Sequence, residues 1–285
     1  TILCAVLCTG LFIACTGNDN ESQTVEYLAV QFEKDENYSI IDRNGNVVVK
    51  EEFGPNDNIS DFIGADGNFW LKSGGKIQLF NVKSPKKPIS DAEFDNVTDF
   101  VAGRSIVSVQ GQPLQVIDTK GKVVATLGKE FSKVYMYAPC GLARFYKEST
   151  DKWGCIDRSG KVVFEGDYAE LTDFRYGYAY GEKKDGKGYD IYDGKGKKLC
   201  SFPKGTYKLV ADENGGGLFA AKKTEGGDEN PLVFVGIDGK RAFTVRHAAS
   251  QSWMNNYVYF IDGFATFSNS ENKDGVLNDK GEEVI

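Results

Sequence analysis

A single histidine, His247, and two methionines are all that the 285 residues hold of those types. In "TVRHAASQSW" the lone imidazole reads as a loop or sheet-edge residue, with a general base as the less economical alternative. No G-x-S-x-G, H-E-x-x-H or P-loop signature is present, so no familiar hydrolase, metalloprotease or nucleotide-binding motif offers itself. No long basic run occurs and the net charge is −7. That excludes a dedicated nucleic-acid binder, because neutralising phosphates takes a basic surface. None of the six cysteines stands in a C-x-x-C pair, so neither a zinc site nor a dense disulfide framework is indicated. No metal or other cofactor is expected.

What is there points to β-structure. The chain is 41% hydrophobic and 26% charged, a globular composition with ample length for a core. Aromatics make up 13% and there are 33 glycines. Aromatic and β-branched side chains suit pleated sheets, and glycines suit the turns between strands.

The first 15 residues, "TILCAVLCTGLFIAC", carry no charge. They are too short to span a bilayer comfortably, which takes roughly 20 residues, and have the length of a secretory apolar segment. Their end, "LFIAC", resembles the bacterial lipobox, in which cleavage precedes a lipid-bearing cysteine; Phe12 stands where that motif prefers Leu. The resemblance implies a signal peptide over residues 1–14 and lipidation at Cys15, with a plain anchor or an ordinary cleaved signal as the alternative. Residues 15–24 then form a polar, flexible tether, and 25–285 the folded domain. An initiator Met and a charged leader are missing, so the chain is expected to continue before Thr1. Cys140, Cys155 and Cys200 remain in the domain; three buried free thiols are expected, although one disulfide is open in an oxidising compartment.

The domain repeats. "NYSIIDRNGNVVV" (37–49), "PLQVIDTKGKVVA" (113–125), "DKWGCIDRSGKVVF" (151–164), "GYDIYDGKGKKLC" (188–200) and "DGVLNDKGEEVI" (274–285) each place a turn between two apolar strands. Weaker copies are "KIQLFNVKSPKKPI" (76–89) and "LVFVGIDGKRAFTV" (232–245). The turns close at positions 45, 84, 121, 160, 196, 239 and 281, a spacing of about 39 residues. Asp or Asn suits the first position of a type I turn and Gly the last, so the turn alone accounts for Asp42, Asp118, Asp157, Asp193 and Asn278. A ring of metal-binding or catalytic carboxylates is the competing reading. Between the hairpins recur a strand after glycine, as in "GRSIVSV" (103–109), and a short acidic-aromatic piece, as in "FDNVTDF" (94–100) and "YAELTDF" (168–174). Four short strands per repeat predict an all-β, β-propeller-like array of about seven repeats. Only six acidic-aromatic pieces accompany seven hairpins. One blade is therefore expected to be a strand short, with the missing strand supplied beyond Ile285.

"KWGCIDRSGKVV" (152–163), continued by "YAELTDFRYGYAYGEKKDGKGY" (168–189), resembles the WG-repeat (KWG) family of bacterial proteins. The other copies keep the Asp-x-x-Gly turn without the Trp-Gly pair. The resemblance implies a propeller-like secreted or surface protein and no shared catalytic residues.

Tyr and Phe alternate in "KVYMYAP" (133–139), "FRYGYAYG" (174–181) and "WMNNYVYFIDGF" (253–264), which puts them on one face of a strand. Burial between blades is the default; the alternative is a sugar- or peptide-binding platform of Tyr176, Tyr178, Tyr180, Trp253 and Tyr257 with Asp173. Two functions therefore compete. One is a non-catalytic binding or scaffold lipoprotein on a bacterial envelope, membrane-anchored and facing an unknown protein or glycan ligand. The other is an envelope enzyme acting on glycans through carboxylates in a propeller cleft.

Overall fold

The computed structural model describes residues 25–31, 37–60, 62–203, 207–209, 217–223, 232–244, 263–268 and 273–285. Among these, every regular element is a β-strand and every pairing is antiparallel. The repeat unit is clearest in blade four: Lys133–Val134, Ala143–Lys147, Lys152–Ile156 and Val162–Gly166, hydrogen-bonded in that order. Blades three, five and six repeat the pattern, beginning at the leading strands Asn96–Val97, Tyr168–Leu171 and Tyr207–Leu209. The array is β-propeller-like, as the spacing predicted.

Each hairpin is closed as its turn residues require. Gly160 N–H donates to Asp157 O at 2.9 Å, and Asp157 Oδ1 accepts from the amides of Ser159 and Lys161. Gly160 has φ +80°, open to glycine and costly for other residues. The left-handed residue puts a bulge beside the turn, seen as the register shift between Cys155 and Ile156. The same bonds recur around Asp42, Asp118, Asp193 and Asn278. At 236–239 Gly236 replaces the aspartate, and Asn81 with Ser84 closes the weak second copy.

Strand supply differs from the expectation at the start of the domain. Blade one (Val25–Val30, Tyr38–Asp42, Val47–Phe53) does have a fourth strand, Phe62–Gly64, borrowed from the segment leading into blade two. Blade two is a three-stranded sheet of Asn58–Ile59, Asn68–Ser73 and Lys76–Asn81, extended by a bridge from Ile77 to Phe94. Of blade seven, Phe264–Ser268 and Asp274–Asn278 are described. The borrowed strand stitches blade one to blade two, which sequence spacing could not show.

The core lies between consecutive blades. Ile40 and Val49 of blade one meet Phe69 of blade two; Trp70 and Leu79 of blade two meet Ile117 of blade three. Val116 meets Phe145 across blades three and four, Cys155 meets Tyr192 across four and five, and Ile191 meets Phe219 across five and six. Stability in such an array is a sum of neighbour interfaces. The turn glycines add to it: a Cβ on Gly121, Gly160 or Gly196 would press on Ser90, Ala125 or Val163 of the preceding blade.

Candidate functional site

The turn carboxylates are committed to the fold. Burial pushes the Asp157 carboxyl up, but bonds from the Ser159 hydroxyl and the Lys161 and Ser159 amides outweigh it and hold the group below its usual range. Among the described residues no cluster of three or more His, Cys, Asp or Glu side chains could hold a metal ion.

The Trp-Gly pair has two separate physical reasons. Gly154 lies beneath the Phe145 ring of the neighbouring strand, and a Cβ there would fall 2.6 Å from Phe145 Cζ and 2.3 Å from Phe164 O. Trp153 points to the opposite face and joins a ladder of rings and cations. The Arg144 guanidinium lies 3.9 Å from the Tyr135 ring centre and 5.5 Å from that of Trp153. Tyr135 and Trp153 stack at 5.9 Å, and Tyr146 sits 5.0 Å from Trp153. Arg144 also reaches blade five, through Nη1 to Leu171 O at 2.6 Å and Nε to Asp173 Oδ1 at 2.7 Å. Lys133 Nζ lies 4.5 Å from the centre of the Tyr135 ring. The three rings and Arg144 are half-buried, and Lys133 is exposed.

This ladder occupies a place where the repeat changes its chemistry. The segments following three leading strands read Ser60-Asp61-Phe62, Thr98-Asp99-Phe100 and Thr172-Asp173-Phe174. In each, the Ser or Thr hydroxyl accepts a strand amide, from Trp70, Ile106 and Tyr180 respectively, at 2.9–3.0 Å. The main-chain partner is the same in all: Ser60, Thr98 and Thr172 donate to the carbonyls of Trp70, Ile106 and Tyr180. Tyr135 makes the equivalent main-chain bond to Arg144 O at 3.0 Å, so Tyr135-Met136-Tyr137 stands in register with Ser/Thr-Asp-Phe. Blade four thus replaces the hydroxyl acceptor by a ring and the aspartate by Met136, which is 42% exposed.

A second cluster lies in the same seam between blades four and five. Asp190 is 4% exposed and satisfied on both oxygens. Lys183 Nζ and Ser201 Oγ reach Oδ1 at 3.0 and 2.5 Å; Lys198 Nζ and Tyr168 OH reach Oδ2 at 3.1 and 2.9 Å. Tyr168 and Tyr192 share a short bond between hydroxyls. Burial raises the Asp190 carboxyl, and these four bonds together bring it below its usual value. A carboxylate held ionised in this way suits a structural anchor better than a general acid. Its signal in the sequence was a charged residue inside the apolar strand "GYDIYD".

Of the platform residues, Tyr178 and Tyr180 pack half-buried against the cluster between blades five and six, with Tyr180 edge-on to Tyr189 and Phe219. Tyr176 holds φ +49° at the tip of the hairpin before Gly177, a conformation that strains a bulky side chain. Asp173 is the carboxylate that pairs with Arg144. Trp253, Tyr257, His247 and Cys15 lie outside the described residues. Cys140, Cys155 and Cys200 are free thiols; Cys155 is buried, whereas Cys140 and Cys200 are half-buried. Burial pushes the Cys155 thiol up to about 12. Lys133, Tyr135 and Met136 lie in "KVYMYAP", an aromatic stretch visible in the sequence, but they and Arg144 were not among the named platform residues, because their distinction shows only once the leading strands are aligned in space.

Residues 153–187 match the WG containing repeat family. A search of curated proteins finds no match. Solved structures share the fold at low identity. A eukaryotic initiation factor is 14% identical over 77% of this chain and 62% of its own, with a TM-score of 0.50. Hsv2p of Kluyveromyces lactis is 13% identical over 90% and 92%, with a TM-score of 0.48. BamB from Moraxella catarrhalis is 10% identical over 92% and 85%, with a TM-score of 0.46. Such identities speak to fold alone.

Proposed function

We propose that this carrier of a WG repeat is a non-catalytic binding scaffold of a bacterial cell envelope, tethered by lipid at Cys15 and facing a protein or glycan ligand. The repeat scaffold itself is plain from the sheets and the family match. The observation that carries the binding role is the ladder in the blade four–five seam. Half-buried rings and an exposed cation gather at a leading segment that lacks the Ser/Thr-Asp-Phe chemistry of the segments at 60–62, 98–100 and 172–174. Sequences tend to break their own local rules at functional sites. The described carboxylates of the turns and of Asp190 serve hydrogen bonds of the scaffold, which favours binding over the glycan-cleaving alternative.

Anchoring rests on the short apolar run ending in Ala14-Cys15. Stable attachment takes two or more lipid chains, which a lipoprotein cysteine carries. Mass spectrometry of membrane-extracted protein should find an acylated N-terminal Cys15; a mature form starting elsewhere without lipid refutes the anchor. The binding role is tested with purified residues 20–285 on a glycan and peptidoglycan array, alongside capture of envelope proteins. Saturable binding weakened by Tyr135→Ala is expected. Binding that ignores Tyr135→Ala, or turnover of an arrayed glycan, contradicts this reading.

A further inference from the structure

We infer that the exposed end of the blade-four ladder, Lys133 with Tyr135 and Met136, takes an anionic sugar residue, one bearing a carboxylate; this rests on the binding role proposed above. Three observations converge on it. The first is charge. Arg144 is neutralised by Asp173 at 2.7 Å, whereas Lys133 makes no ion pair among the described residues and has an aromatic ring as its neighbour. Tyr146 OH donates to Asp151, which is itself paired with Lys184 at 2.7 Å, so the surplus positive charge of the ladder is the exposed Lys133. Around it the chain as a whole carries net charge −7, so a local cation without a partner goes against the general balance.

The second observation is the substitution within the repeat. The position of Asp99 and Asp173 is Met136 in blade four, so the acid that those leading segments carry is gone where Lys133 projects. An aspartate there would repel a bound carboxylate; a thioether offers a soft, polarizable contact for sugar C–H groups. The third is the cost accepted by the scaffold. Blade four gives up the hydroxyl-to-amide bond that Ser60, Thr98 and Thr172 make, and exposes Met136 by 42%. Tyr135 keeps the same main-chain bond as its counterparts, so the change falls on the side chain, whose ring stacks with Trp153 and the Arg144 guanidinium. An aromatic ring beside an ammonium matches a sugar acid on both counts: the ring packs on the C–H face and the ammonium donates to the carboxylate.

The experiment uses oligogalacturonate and oligoalginate with their methyl esters, which keep the sugar and remove the charge. Calorimetric titration of the protein should show binding of the acids and at least ten-fold weaker binding of the esters. Lys133→Gln, an exposed change that leaves the core untouched, should reduce affinity for the acids about ten-fold and leave the esters unaffected. Equal binding of acid and ester overturns the charge assignment while leaving the binding scaffold standing. Capture of a peptide or neutral glycan through Tyr135, with no acid binding, also overturns it and keeps the broader role. Absence of all binding at this ladder removes both.

Discussion

Replacing Gly160 by alanine should cost more than the same change at Gly45, although the two turns are the same. Gly45 and Gly160 have φ +84° and +80°, and each donates to its turn aspartate at 2.9 Å. Forcing a Cβ into the left-handed region costs roughly 1–2 kcal/mol at either position. The surroundings differ. A Cβ on Gly45 meets nothing within 4 Å, whereas one on Gly160 falls 2.7 Å from Ala125 Cβ and 3.3 Å from Leu127 Cδ2. Both of those atoms belong to the neighbouring blade, and relieving a methyl–methyl contact that short means shifting one blade against the other. Overpacking of that kind costs about 1–3 kcal/mol. Gly45→Ala should therefore lose about 1–2 kcal/mol and Gly160→Ala about 2–5 kcal/mol. Urea denaturation followed by tryptophan fluorescence and circular dichroism measures the difference, with parallel slopes marking unchanged exposure on unfolding. Equal losses at the two glycines would refute the interlock between hairpin turn and preceding blade.

Asp157→Asn should change stability by less than about 1 kcal/mol, because Asn also serves the first turn position, whereas Asp157→Ala should cost about 1–2 kcal/mol through the orphaned amides of Ser159 and Lys161. Asp42, with its Asn46 bonds, and likewise Asp157 and Asp190 have carboxyls held below their usual range. A depressed folded value means stabilisation that is complete above the unfolded value, about 4, and lost as pH falls through the folded values. Urea midpoints should therefore drop on acidification below about pH 4, with no pH dependence from these groups between pH 5 and 8, where their stabilisation is complete; a midpoint that rises on acidification contradicts the assignment. Cys155, buried and with its thiol pushed up to about 12, should resist a thiol reagent until the protein unfolds, and labelling at the rate of an exposed thiol would show the seam to be open.

The hairpins were legible because their cause is local: Asp157, Gly160 and the strands beside them lie within one short window, and the turn needs nothing from elsewhere. The leading strands were harder. Asn96–Val97 and Lys133–Val134 are two residues each, too short for any alternation to register. Their marker, Ser/Thr-Asp-Phe, was visible as an acidic-aromatic piece, but the role of Thr98 and Thr172 depends on amides eight residues away across a sheet. The fourth strand of blade one escaped because Phe62–Gly64 serves a blade that precedes it. Tyr178 and Tyr180 share a face of their strand, as alternation requires, and that face packs half-buried against blade six. Asp190 illustrates the opposite limit: its charge was plain in the strand, but its four partners come from three other strands.

The most direct measurement restores the repeat in blade four. Tyr135→Thr with Met136→Asp recreates the Thr-Asp pair and supplies a hydroxyl for the Arg144 amide, worth about 0.5–1.5 kcal/mol, while removing three cation and ring contacts of about 0.5–1 kcal/mol each. The net loss is about 1 kcal/mol, so the double variant should fold with a thermal midpoint within about 4 °C of the parent. If the ladder is the ligand site, calorimetric titration of that folded variant with oligogalacturonate should show affinity at least ten-fold below the parent. Undiminished binding by the folded variant would contradict a ligand site on blade four.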